Sequence, residues 1–137
     1  AEGGRRSRIL ATWHLAGGRE AASAIAAAGI RCDEAHCACG RYGRGGYVAI
    51  SAAKAHAYAP TGDGAGEEES LRRLFLVLAI PDEDVVQGTK GERPPRTAAD
   101  KPSCPTEYCF VDAARLHCVC MVTYQWLPTG RRQKVNS

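Results

Sequence analysis

The chain has 137 residues, 45% hydrophobic and 24% charged, a globular composition at a length that suits a single core. No apolar run approaches the roughly 18 residues that span a bilayer, and the N-terminus lacks the blocks of a secretory leader, so nothing in it targets a membrane. The net charge is only +3, with basic residues gathered at the ends (Arg5, Arg6, Arg8; Arg131, Arg132, Lys134), which reads as solvated tails before it reads as a nucleic-acid surface.

The chain opens on Ala1 and its single methionine is Met121, the pattern of a piece cut from a longer protein. Residues 1–7 read as a flexible lead, 8–127 as one domain and 128–137 as a basic, disordered tail. The first element is a strand, RILATWH (8–14), whose β-branched and aromatic residues form a short apolar run ending at His14. Strong helix formers then predict a helix over 19–28, stopped by Gly29 as a left-handed cap. Glycines at 40, 43, 45 and 46 forbid a long regular element in the cysteine-rich stretch that follows.

YVAI (47–50) reads as a strand. Ser51 is placed to cap a helix over AAKAHAYA (52–59), closed by Pro60. After an acidic link comes LRRLFLVLAI (71–80), apolar enough to be buried on both faces and so expected at the centre of a sheet. Five prolines lie between residues 81 and 105, which makes most of the segment from Gln87 to Pro105 a long exposed loop. EYCFV (107–111), a polar turn and LHCVCMVTYQWL (116–127) read as two strands or one broken strand. Strands outnumber two short helices, which predicts an α+β domain.

Seven cysteines cannot all pair, so free thiols in a reducing compartment fit better than a disulfide scaffold. HCAC (His36, Cys37, Cys39) and HCVC (His117, Cys118, Cys120) repeat one pattern and could pool into a zinc site. Neither has the C-x2-C spacing, and on one strand Cys118 and Cys120 would share a face as small hydrophobes, so no metal is assigned. The glycine-rich GRYGRGG lacks a following Lys-Ser/Thr, and a strand rather than a helix comes next. It is therefore no phosphate loop.

Three separated segments each place a polar residue at the edge of an apolar strand: TWHLAG, YGRGGYVAISAAKAHAY and TEYCFVDAARLHCVCMVTY. In this order they resemble the three blocks of the ADP-ribosyltransferase superfamily, in its PARP-like and diphtheria-toxin-like branch with a His-Tyr-Glu triad. The resemblance implies a compact split β-sheet with two short helices, and NAD as substrate. It makes His14 the partner of the adenosine ribose, Tyr47 and Tyr58 the two walls around the nicotinamide ring, and Glu107 the catalytic carboxylate that accepts from the 2'-hydroxyl of the nicotinamide ribose. Leu15 stands where the family usually has glycine, its backbone still able to bond the carboxamide. Ala55 stands where many members have a small hydroxyl residue.

The same resemblance implies a mono-ADP-ribosyltransferase, the toxin module of a bacterial polymorphic (Rhs-type) effector. Such a module is a monomer that acts in the cytosol of a target cell and is neutralised by an immunity protein. The acceptor is a macromolecule, protein or structured RNA, with Gln87 to Pro105 as the recognition loop because it precedes Glu107. The other readings are an NAD glycohydrolase, an inactive NAD-fold module, and a small zinc-binding interaction domain resting on the two HCxC elements.

Overall fold

The computed structural model describes residues 8–33, 39–40, 43–58, 71–81, 86–88 and 106–125. The elements in chain order are strand β1 (Leu10–Leu15), helix α1 (Arg19–Ala28), strands β2 (Cys39–Gly40), β3 (Gly43–Arg44) and β4 (Gly46–Ala49), and helix α2 (Ala52–His56). After these come β5 (Leu71–Ala79), β6 (Val86–Gly88), β7 (Glu107–Phe110), a 3-10 turn (Ala113–Arg115) and β8 (Leu116–Gln125). The domain is α+β. Among the described residues no helix is long and apolar enough to cross a membrane.

The strands form an antiparallel sheet in the order β6-β7-β4-β1-β5-β8, with β2 and β3 as a separate two-stranded ribbon. The sheet is unevenly knitted. β1 pairs with β5 along its whole length and β4 pairs with β7 along its whole length, yet β1 and β4 share only the pair Trp13↔Ala49. Two three-stranded halves, β6-β7-β4 and β1-β5-β8, therefore meet at one point and splay beyond it.

Side chains alternate across each strand, so each half presents two faces. Leu10 and Thr12 of β1, Val48 of β4, Phe75, Val77 and Ala79 of β5, Tyr108 and Phe110 of β7 and Leu116 of β8 are buried on the face covered by α1, through Ala22 and Ile25. The Thr12 hydroxyl, fully buried there, donates to the Val77 carbonyl at 2.8 Å, which satisfies a polar group that would otherwise be costly to bury. On the opposite face a smaller cluster of Ala49, Ala55 and Leu74, bordered by Trp13, Leu15 and Tyr124, seats α2.

Several expectations need correction. β5 is interior but penultimate, and β1 and β4 hold the centre, because β8 alone flanks β5 on its outer side. Gly29 does have positive φ (78°), but its ψ of −179° is extended rather than left-handed helical; its N–H bonds to the Ile25 carbonyl and the chain leaves straight. Helix α2 ends at His56, and Tyr58 lies in the turn after it, with its N–H on the Ala55 carbonyl. Ser51 caps α2 as expected, its hydroxyl accepting from Lys54 N–H at 3.1 Å.

The last two strands are separate, and they belong to different halves of the sheet: β7 lies between β4 and β6, while β8 pairs with β5. Cys118 and Cys120 do not share a face. The register slips between Leu76 and Val77, so that Cys118 opposes Val77, Cys120 opposes Leu76, and Val119 is the extra residue of a β-bulge. Cys118 turns toward the core and Cys120 to solvent. Of the segment from Gln87 to Pro105, Gln87 and Gly88 belong to β6; the rest lies outside the described residues, as do His36, Cys37 and residues 128–137.

Candidate active site

The splay between the half-sheets opens a cleft of about 730 Å³. Beyond Trp13↔Ala49 the next residues of β1 and β4 do not pair, and the Tyr47 carbonyl, with β7 on the other side of its strand, faces β1. In a continued ladder it would accept a backbone N–H. Instead it accepts from the His14 ring, Nδ1 to O at 2.6 Å. His14 thus holds the parted strands across the gap.

A carbonyl can only accept, so Nδ1 carries the proton and Nε2 keeps its lone pair. Burial lowers the His14 pKa below its ordinary 6.5, outweighing the upward pull of the Tyr47 carbonyl, and the ring is held neutral. Nε2 is therefore available to accept from a ligand hydroxyl.

The lowered value also fixes a pH dependence. Below pH 6.5 the unfolded chain takes up the proton more readily than the folded one, so this contribution to stability is complete above 6.5 and lost as pH falls through the lowered value. We expect the melting temperature to fall more steeply below pH 6.5 in the wild type than in His14→Asn. Parallel curves for the two proteins would remove His14 as the titrating group.

Glu107 opens β7 opposite Ala49 and is buried, only 3% exposed. Its register puts it on the face that seats α2, and there the exposed Tyr58 bends back so that its phenol donates to Oε2. That bond compensates part of the cost of burying a carboxylate.

His14, Leu15, Tyr47, Tyr58 and Glu107 all line this one cleft, although they come from three segments far apart in sequence. Tyr47 enters from β4, Tyr58 from beyond α2. Leu15 contributes its side chain to the wall and packs against the small cluster beneath α2. Ala55 is buried with Leu74 and Ala49 and lines the cleft with a methyl.

Three lining groups were not anticipated: Trp13, Arg31 and Lys54. Trp13 is the neighbour of His14 and could have been suspected from that alone. Lys54 projects from α2, and Arg31, paired with Asp33 at 2.8 Å, follows α1. A cleft otherwise dominated by small apolar residues thus carries two cations, one buried carboxylate and a neutral imidazole.

Comparison with family models and with curated proteins returned no match. Among the described residues no group of three or more His, Cys, Asp or Glu could hold a metal ion. His117 and Cys120 are exposed, and the bulge turns Cys118 away from Cys120.

Proposed function

We propose that this protein is a mono-ADP-ribosyltransferase that uses NAD to modify a macromolecular acceptor, protein or structured RNA. The observation that carries the proposal is the convergence of His14, Tyr47, Tyr58 and Glu107 on one cleft at the split of the sheet. Its volume lies within the roughly 300–1,000 Å³ of small-molecule sites. The resemblance of the three sequence blocks to the His-Tyr-Glu transferases supplies the identity of the substrate.

Each residue has a chemical task that its surroundings favour. Nε2 of His14, with Nδ1 committed to the Tyr47 carbonyl, accepts from the adenosine ribose. Tyr47 and Tyr58 offer flat aromatic faces, which attract a flat cationic ring through dispersion and the ring quadrupole. The N-glycosidic bond breaks with its electron pair leaving on nicotinamide, and positive charge develops on the ribose, as at any glycosyl centre with oxocarbenium character. Glu107, buried and fixed at the start of β7, stabilises that charge in surroundings where a preorganised carboxylate acts strongly. The acceptor's nucleophile then bonds to the opposite face of the sugar and gives up its proton. Lys54 and Arg31 are placed to attract the diphosphate.

The test is incubation with NAD labelled in the adenylate portion and a cell lysate, followed by protease or ribonuclease. Label that enters a macromolecular fraction and is released by one of the two treatments identifies both transfer and acceptor class. Nicotinamide release with no transferred label would make the protein an NAD glycohydrolase. NAD left intact would defeat the proposal.

A further inference from the structure

Helix α2 has five residues, too few to be stable by its own hydrogen bonds, yet it must place the tyrosine that reaches Glu107. Its position is set by its anchors. Ser51 caps it directly after β4, which ties it by the chain to the β6-β7-β4 half. Ala55 packs against Leu74 of β5, across the split. The next residue, His56, makes a polar link with the far half: its Nδ1 lies 2.6 Å from the hydroxyl of Tyr124 on β8, with the two rings tilted by 49° at a centroid separation of 5.7 Å. Two residues on, Tyr58 returns to the near half and donates to Glu107.

Because the half-sheets share only Trp13↔Ala49, little in the ladder itself fixes their relative placement along the cleft. A chain that runs Tyr124, His56, Tyr58, Glu107 spans from β8 to β7 over the α2 side of the cleft. We infer that His56 and Tyr124 are positioning residues: their bond seats α2 across the split and so holds Tyr58 over Glu107. Neither needs to touch substrate. The effect on NAD rests on the transferase reading, whereas the effect on Tyr58 does not.

Two measurements separate these. In the isolated protein, the side-chain carboxyl carbon resonance of Glu107 reports the Tyr58 bond, and Tyr58→Phe gives its value without that bond. His56→Ala and Tyr124→Phe are expected to move the resonance toward that value. His56→Asn, which puts a polar atom where Nδ1 sits, is expected to restore it.

In the NAD assay the same two variants should raise KM about tenfold, the worth of one aromatic stacking contact, with kcat little changed because a stack holds ground state and transition state alike. A Glu107 resonance that stays at the wild-type value in both His56→Ala and Tyr124→Phe overturns the inference. So does a KM that rises equally in His56→Asn, since loss of packing rather than of the bond would then be responsible. A wild-type protein that leaves NAD intact while the resonances move as expected supports the positioning role and defeats only the transferase reading.

Discussion

Glu107→Gln is expected to lower both label transfer and nicotinamide release by at least about a hundredfold, the scale of losing one preorganised electrostatic partner of a transition state. The substitution keeps the shape and an acceptor oxygen, so the Tyr58 phenol retains a partner and the cleft retains its lining. Only the charge is removed. A neutral amide is cheaper to enclose than a carboxylate, and Glu107 is almost wholly enclosed, so the melting temperature should hold or rise slightly.

That pairing of lost activity with kept stability distinguishes a catalytic carboxylate from a structural one. A structural carboxylate would show the reverse, with the melting temperature falling and catalysis following it in proportion. Nicotinamide release measured by chromatography alongside thermal melting gives both numbers on one preparation. Activity within a few-fold of wild type would remove Glu107 from the chemistry.

What could be read in the amino-acid sequence was whatever depends on neighbours in the chain. The strong helix formers ended by Gly29, the hydroxyl of Ser51 ahead of α2, and the apolar run of β5 are local patterns; α1 and β5 stand where they were expected within a residue, and α2 starts where it was expected but stops at His56, short of Ala59. The candidate site was legible for a related reason. A polar residue at a strand end means little singly; His14 and Glu107 were picked out by the order of three blocks that resemble a known family, and that order is itself read along the chain.

The features that escaped depend on register between distant segments. The slip at Val119 is set by how β8 meets β5, so no pattern within HCVC could show that Cys118 and Cys120 part. The gap between β1 and β4 lies in how two distant segments meet at the single pair Trp13↔Ala49, which the pattern within neither strand can show. The partner of His56 is 68 residues away, on a strand whose own periodicity the bulge interrupts. Tyr58 was expected inside the helix because AAKAHAYA is rich in alanine; it lies past the helix end, where its phenol donates to Glu107, a partner 49 residues away.

The largest effect on stability is expected from Gly45→Ala. Gly45 stands where the chain enters β4 beside β7, and a methyl there would lie 2.5 Å from the Cys109 sulfur and 2.5 Å from the Phe110 carbonyl oxygen. A thiol can rotate away. The carbonyl cannot, because it belongs to the backbone of a strand buried at every position, so β7 itself must shift. Overpacking of this kind costs roughly 2–3 kcal/mol, or about 10 °C in melting temperature for a domain of this size.

Glu107 lies on the displaced strand, three residues before Phe110, so nicotinamide release should drop with stability rather than independently of it. Gly17→Ala is the control: it lies ahead of the α1 cap, a methyl there meets nothing within 4 Å, and its melting temperature should match wild type. Adding Cys109→Ala to Gly45→Ala removes the sulfur and leaves the carbonyl, and should recover only part of the loss. Full recovery would assign the strain to the thiol alone, and a Gly45→Ala protein that melts with wild type would mean that β4 and β7 do not approach as closely at this corner as the carboxylate's placement requires.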